Sequence, residues 1–135
     1  MAQHTILLVE KDADARADLN KLLSANGFAV TEAENAAEAE ELAAKGKFNL
    51  VISDLMLENA DGGFTLSYHF KRDYPAVPVI LLSRAINEMD IVFSRESQSE
   101  RNWIKADALL NQPVRFEQLL ATVQKLLHIM PKHAH

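Results

Sequence analysis

The chain has 135 residues, enough for one domain with a continuous core and too few for two. A formal net charge of −5 disfavours a direct grip on nucleic-acid phosphates, and the lack of cysteine excludes disulfides and thiolate metal sites. Apolar residues make up 48% and charged residues 24%, ordinary for a soluble domain, and no apolar run approaches the roughly 18 residues that a membrane span needs.

The opening "MAQHTILLVEKD" lacks a basic leader and turns acidic at once, so it is expected to be a strand and not a signal peptide, in a cytoplasmic protein. That strand is "TILLV" (5–9), unbroken by polar residues as a strand buried on both faces should be. A helix follows, capped by Asp12 or Asp14, with Ala15, Leu19, Leu22 and Leu23 at helical spacing and a stop at Asn26 and Gly27. "FAVTEA" (28–33) is more polar, as an edge strand may be written. Asn35 caps an alanine- and glutamate-rich helix ending near Gly46.

"FNLVISD" (48–54) is the third strand and closes on an aspartate; the loop "LENADGG" then offers Gly62 and Gly63 for positive φ. A helix runs through Phe70 to Tyr74, and Pro75 and Pro78 bracket the fourth strand, "VPVILLS" (77–83). "DALLN" (107–111) is the fifth strand. "VRFEQLLATVQKLLHIM" is a closing amphipathic helix with Phe116, Leu119, Leu120, Val123, Leu126 and Leu127 on one face. Five apolar runs alternating with helices predict an α/β domain with a doubly wound, five-stranded parallel sheet over residues 1–135, ending in a tail at 129–135. Residues 84–105 are too long for a simple connection between strands four and five. They read as an insertion, either a surface loop tacked down by Ile91, Val92, Phe93 and Trp103 or a partner-binding extension.

In such a sheet the carboxyl ends of the central strands converge on a crevice. Those ends carry Glu10, Lys11 and Asp12, then Asp54, then Ser83, then Gln112. Carboxylates from two neighbouring strands suit a hard cation such as Mg²⁺, and a hydroxyl with an amide nearby suits a phosphoryl group. An aspartate just past a strand also serves as a helix cap or turn former.

This set resembles the receiver domain of response regulators, the phosphoacceptor half of bacterial two-component signalling. The resemblance rests on "ILLVEKDADAR", "LVISDLMLENADGG", "VPVILLS" and "ADALLNQPV", and it spans nearly the whole chain. It implies a (βα)5, flavodoxin-like fold. It also implies that Asp54 accepts a phosphoryl group with the help of Mg²⁺ held by Glu10, Asp54 and the Met56 carbonyl, and that Ser83 and Leu109 stand at the switch positions. The implied donor is a histidine kinase or phosphotransfer protein, and the implied output is a downstream protein partner or output domain, with a homodimer as an open alternative. The chain would be no enzyme beyond its own phosphorylation and dephosphorylation.

The sequence departs from that family at Lys11, where a second acid is usual, and at Gln112, where a lysine is usual. Glu58, Arg84 and Leu109 replace a proline, a small residue and an aromatic. Three acids and a lysine sum to about −2, whereas Glu10, Lys11, Asp54 and Gln112 sum to about −1, which lowers the demand for Mg²⁺ and removes a ligand for it. Lys11 is then either a built-in counter-ion beside Asp54 or a side chain reaching into solvent. Asp12 either caps the first helix or substitutes as a ligand. The alternative to a working phosphoacceptor is a degenerate receiver that binds partners without phosphorylation. His128, His133 and His135 read as a frayed tail, and Glu32, Glu34, Glu38, Glu40 and Glu41 as a solvated helix face.

Overall fold

The computed structural model describes residues 4–54, 62–83, 107–111 and 115–129. Among these, β1 (Thr5–Val9), α1 (Ala13–Ala25), β2 (Ala29–Ala33), α2 (Ala36–Lys45), β3 (Leu50–Asp54), α3 (Gly62–Asp73), β4 (Val79–Ser83), β5 (Ala108–Asn111) and α4 (Phe116–Leu126) follow one another along the chain. The insertion at 84–105 and the tail from Met130 onward lie outside the described residues, as do Met56, Glu58 and Gln112. Gly62 and Gly63, expected in a loop, open α3.

All strand pairs are parallel, in the order β2-β1-β3-β4-β5. The polar second strand is therefore an edge, as its composition predicts. Successive side chains of each strand face opposite sides of the sheet. Leu7, Val9, Val51 and Leu81 join Ala39, Ala43, Leu66 and Phe70 in one core layer beneath α2 and α3. Ile6, Leu8, Ile52, Ile80 and Leu82 join Leu23, Leu119 and Val123 in the other, beneath α1 and α4. Both faces of the central strands are thus dry, which is why their sequences are unbroken apolar runs.

Local chemistry sets the helix ends. Asp12 accepts hydrogen bonds from the N–H groups of Asp14 (3.0 Å) and Ala15 (3.3 Å), so it caps α1. At the other end Gly27 takes a φ of 94°, and the Gly27 and Phe28 N–H groups return to the Ser24 and Leu23 carbonyls. This doubly bonded stop needs a left-handed residue, and glycine adopts that conformation without a Cβ penalty. Phe28 and Leu23 then pack in the same core layer. Asn35 caps α2 by accepting from the Glu38 N–H at 2.8 Å, while the Glu38 carboxylate reaches back to the Glu34 N–H.

Leu22 departs from expectation: helical spacing placed it inside, but it is 41% exposed. Ala15, Leu19 and Leu23, four residues apart, form the inner stripe, and Leu22 stands a quarter-turn off it. The closing helix stops at Leu126, earlier than its apolar pattern, because His128 takes the same left-handed stop as Gly27. Its φ is 59°, with the His128 and Ile129 N–H groups bonded to the Lys125 and Gln124 carbonyls. Ile129, placed with the tail by the sequence, packs against the core layer beneath α1 and α4. Because histidine has a Cβ where glycine has none, His128→Gly should raise stability by about 0.5–1 kcal/mol in urea unfolding.

Candidate functional site

The site is built by register. Val9 pairs with Ser53, and Asp54 pairs with Leu82, so the residue after Val9 stands level with the residue after Ser53. Glu10 and Asp54 therefore occupy equivalent positions on adjacent parallel strands, about 4.8 Å apart in backbone. By strand alternation they share the face beneath α1 and α4. The Glu10 N–H continues the ladder by donating to the Ala33 carbonyl at 3.0 Å. Both acids are buried, Glu10 at 2% and Asp54 at 6% exposure. Ser53, fully buried, turns its hydroxyl onto the Asp54 carbonyl at 3.0 Å and steadies the strand end.

Two acids buried at adjacent strand ends place two oxygen-donor side chains on one face of the sheet. Carboxylate oxygens on neighbouring strands are the donor type that a hard cation takes. The residues present therefore fit a Mg²⁺ ion through Glu10 and Asp54. No group of three or more acidic, histidine or cysteine side chains suited to a metal occurs among the described residues. The position that would supply the third acid is Lys11, which is exposed and forms no hydrogen bond or ion pair among the described residues. Of its two readings, the solvent-facing one describes where it stands. Asp12 is likewise a cap and not a ligand in this arrangement, and its N–H donates to Glu10 Oε2 at 3.1 Å.

The remaining sequence candidates are placed less completely. Ser83 ends β4 in register with Asn111, at the same carboxyl end of the sheet as Asp54. Leu109 is half-buried against the core layer beneath α2 and α3. Met56 and Gln112 fall outside the described residues.

The sequence reading missed Arg16. From one turn inside α1, its guanidinium donates to the Glu10 carbonyl at 2.6 Å and to Glu32 Oε1 at 2.8 Å, and its side chain is only 16% exposed. Asn20 donates to the other Glu32 oxygen. Glu32, read as part of a solvated helix face, is instead a β2 residue that ties α1 to the carboxyl ends of β1 and β2. Glu40 also has a partner, His69 of α3, at 3.2 Å.

The Asn20 hydrogen bond, then that of Arg16, hold the Glu32 carboxyl below the usual glutamate range. A lowered pKa in the folded state means stability that is present above the ordinary glutamate range and is lost as pH falls through the folded value. With a third of the Glu32 side chain exposed, solvent screens the pair. Glu32→Gln should therefore cost only about 0.5 kcal/mol near neutrality. In urea unfolding across pH that difference should vanish under acid conditions.

The model of the response regulator receiver domain matches residues 6–124. The response regulator MprA of Mycobacterium sp. (strain KMS) is 30% identical over 125 residues, covering 90% of this chain and 50% of that protein. The chain spans about half the length of the curated relatives it matches. A CheY-like receiver domain protein from Methanospirillum hungatei JF-1 superimposes with a TM-score of 0.80 at 23% identity, covering 94% of this chain and 95% of that one. TrrA of Thermotoga maritima, solved in complex with Mg(2+)-BeF, gives 0.75 at 24% identity, covering 92% and 99%. At these identities the two structures speak for the fold alone.

Proposed function

The chain belongs to the response regulator receiver domain family, and from that membership we propose that Asp54 is its phosphoacceptor. The observation that carries the proposal is the burial of Asp54 at the end of β3, level with Glu10 just past β1. A receiver domain of two-component signalling takes its phosphoryl group from a donor protein or small molecule, and a histidine kinase or phosphotransfer protein is the donor proposed here. An Asp54 carboxylate oxygen attacks phosphorus in line. The donor's bond to phosphorus breaks, and the leaving group keeps the electron pair. What remains is an acyl phosphate on Asp54, and the chain acts on no substrate but itself.

Glu10 and Asp54 are the side chains that would hold Mg²⁺, which supplies neutralisation of the charge on the transferring oxygens. The charge of Lys11 at the mouth of the site opposes that binding, so we infer that Mg²⁺ is held weakly. Arg16 keeps the Glu10 carbonyl, and with it the β1 end, in place. The phosphorylated state passes to a downstream protein or output domain through Ser83 and β5. That route follows family resemblance and the register of β4 with β5.

Intact mass after incubation with acetyl phosphate, with and without Mg²⁺, tests the assignment. The native domain should gain one base-labile phosphoryl group that Asp54→Asn does not gain. If no phosphoryl group is gained from acetyl phosphate or from a histidine kinase, the assignment falls.

A further inference from the structure

At the opposite end of the sheet, a hollow of about 450 Å³ opens between the last turns of α2 and α3. It exists because the inner face of α2 is made of small residues. Ala39 and Ala43 bring the helix close to the sheet, and Ala44 and Gly46 leave the last turn without bulk. Aromatic rings wall the space thus left. Phe48 enters from the residue run before β3, and Phe70 and Tyr74 from the end of α3, their ring centroids 5.4 Å apart and tilted by 43°. Val77 closes the side toward β4. Among the described residues the single charged group on the lining is Lys47, exposed and without an ion pair, and no acid lines the hollow.

We propose that this hollow binds a small aromatic carboxylate, its ring against the half-buried Phe48 and Tyr74, with the buried Phe70 behind them, and its carboxylate at the Lys47 ammonium. The volume lies within the roughly 300–1,000 Å³ of small-molecule sites. Ring faces and edges favour an aromatic guest over an aliphatic one of equal size. A lone cation at the rim of an otherwise apolar lining selects the sign of the guest's polar end. Phe48 precedes β3 and Val77 precedes β4, so the hollow flanks the amino-terminal ends of the strands whose carboxyl ends bear Asp54 and Ser83. The proposal is therefore independent of phosphoryl chemistry.

Two-dimensional amide NMR titration with indole-3-acetate and, separately, its neutral amide tests it. Both probes should give saturable shifts at Phe48, Phe70, Tyr74 and Val77, with the carboxylate about threefold tighter, as an exposed ion pair allows. Lys47→Met should remove that difference. Ala44→Phe, a change at an exposed position on the lining, should abolish both titrations while leaving the rest of the spectrum in place. The proposal is overturned by unsaturable shifts at these residues, by equal affinity of acid and amide, or by undiminished binding in either variant.

Discussion

Changing Lys11 to Asp and Gln112 to Lys together should speed phosphorylation of Asp54 by about two orders of magnitude or more. Phosphoryl transfer depends on positioning and on neutralising charge that spreads over the transferring oxygens, with little covalent work left to the protein. The native chain has the proposed acceptor, Asp54, and one supporting acid, Glu10, both buried at neighbouring strand ends. It lacks an acid where Lys11 stands exposed, and a cation where Gln112 stands in sequence. Lys11→Asp adds a ligand and removes a charge that opposes Mg²⁺, while Gln112→Lys adds a fixed positive group for the phosphoryl oxygens. The single changes should give less than the pair, since the acid is useful only with the metal bound and the lysine only with the phosphoryl group oriented. Initial rates of mass gain with acetyl phosphate, for native, single and double variants with and without Mg²⁺, measure this. Equal rates for native and double variant would show that neither residue limits the chemistry.

Which features the sequence reveals follows from how far apart the partners lie. Asp12, Asn26 with Gly27, and Asn35 announce the ends of α1 and α2 because each cap bonds within a few residues of itself. The apolar runs at 5–9 and 77–83 announce buried parallel strands, found at Thr5–Val9 and Val79–Ser83, because both faces of the sheet are covered. Leu22 misleads because helical spacing defines a face only to within about a quarter-turn. Glu32 misleads for another reason: Arg16, its partner, is 16 residues away and meets it only once α1 has folded against β2. His128 carries no signal at all for the left-handed stop that glycine advertises elsewhere. As for the site, residue types at strand ends named Glu10 and Asp54, but only the register of β1 on β3 sets them level. The solvent-facing Lys11 could not be chosen over the counter-ion reading, since both satisfy the same local sequence.

The same dependence on distant partners makes Asp107 a polar residue whose loss should cost more than that of its ion-pair partner. Asp107→Ala should destabilise the domain by about 2–3 kcal/mol in urea unfolding, whereas Lys71→Met should cost only about 1 kcal/mol. One Asp107 oxygen, Oδ2, accepts from both the Lys71 ammonium, at 3.0 Å, and the Val79 N–H, at 2.8 Å. The Asp107 N–H returns to the Val79 carbonyl at 2.8 Å. This residue, 36 positions from Lys71, thus fastens the end of α3 and the starts of β4 and β5 to one another. Val79 is 1% exposed, so removing the carboxylate strands a buried N–H that water reaches poorly. Lys71, only 23% exposed in its side chain, would lose its counter-charge as well. The reverse deletion is milder. Without Lys71, Asp107 keeps the Val79 N–H and is itself 32% exposed, so solvent takes up its charge, and the Pro75 and Val77 carbonyls that the ammonium also bonds, at 3.2 and 3.1 Å, belong to an exposed and a half-buried residue. The asymmetry is the test, since a simple surface ion pair would give equal and small losses from either side. Equal losses would assign the junction of α3 with β4 and β5 to its apolar contacts instead.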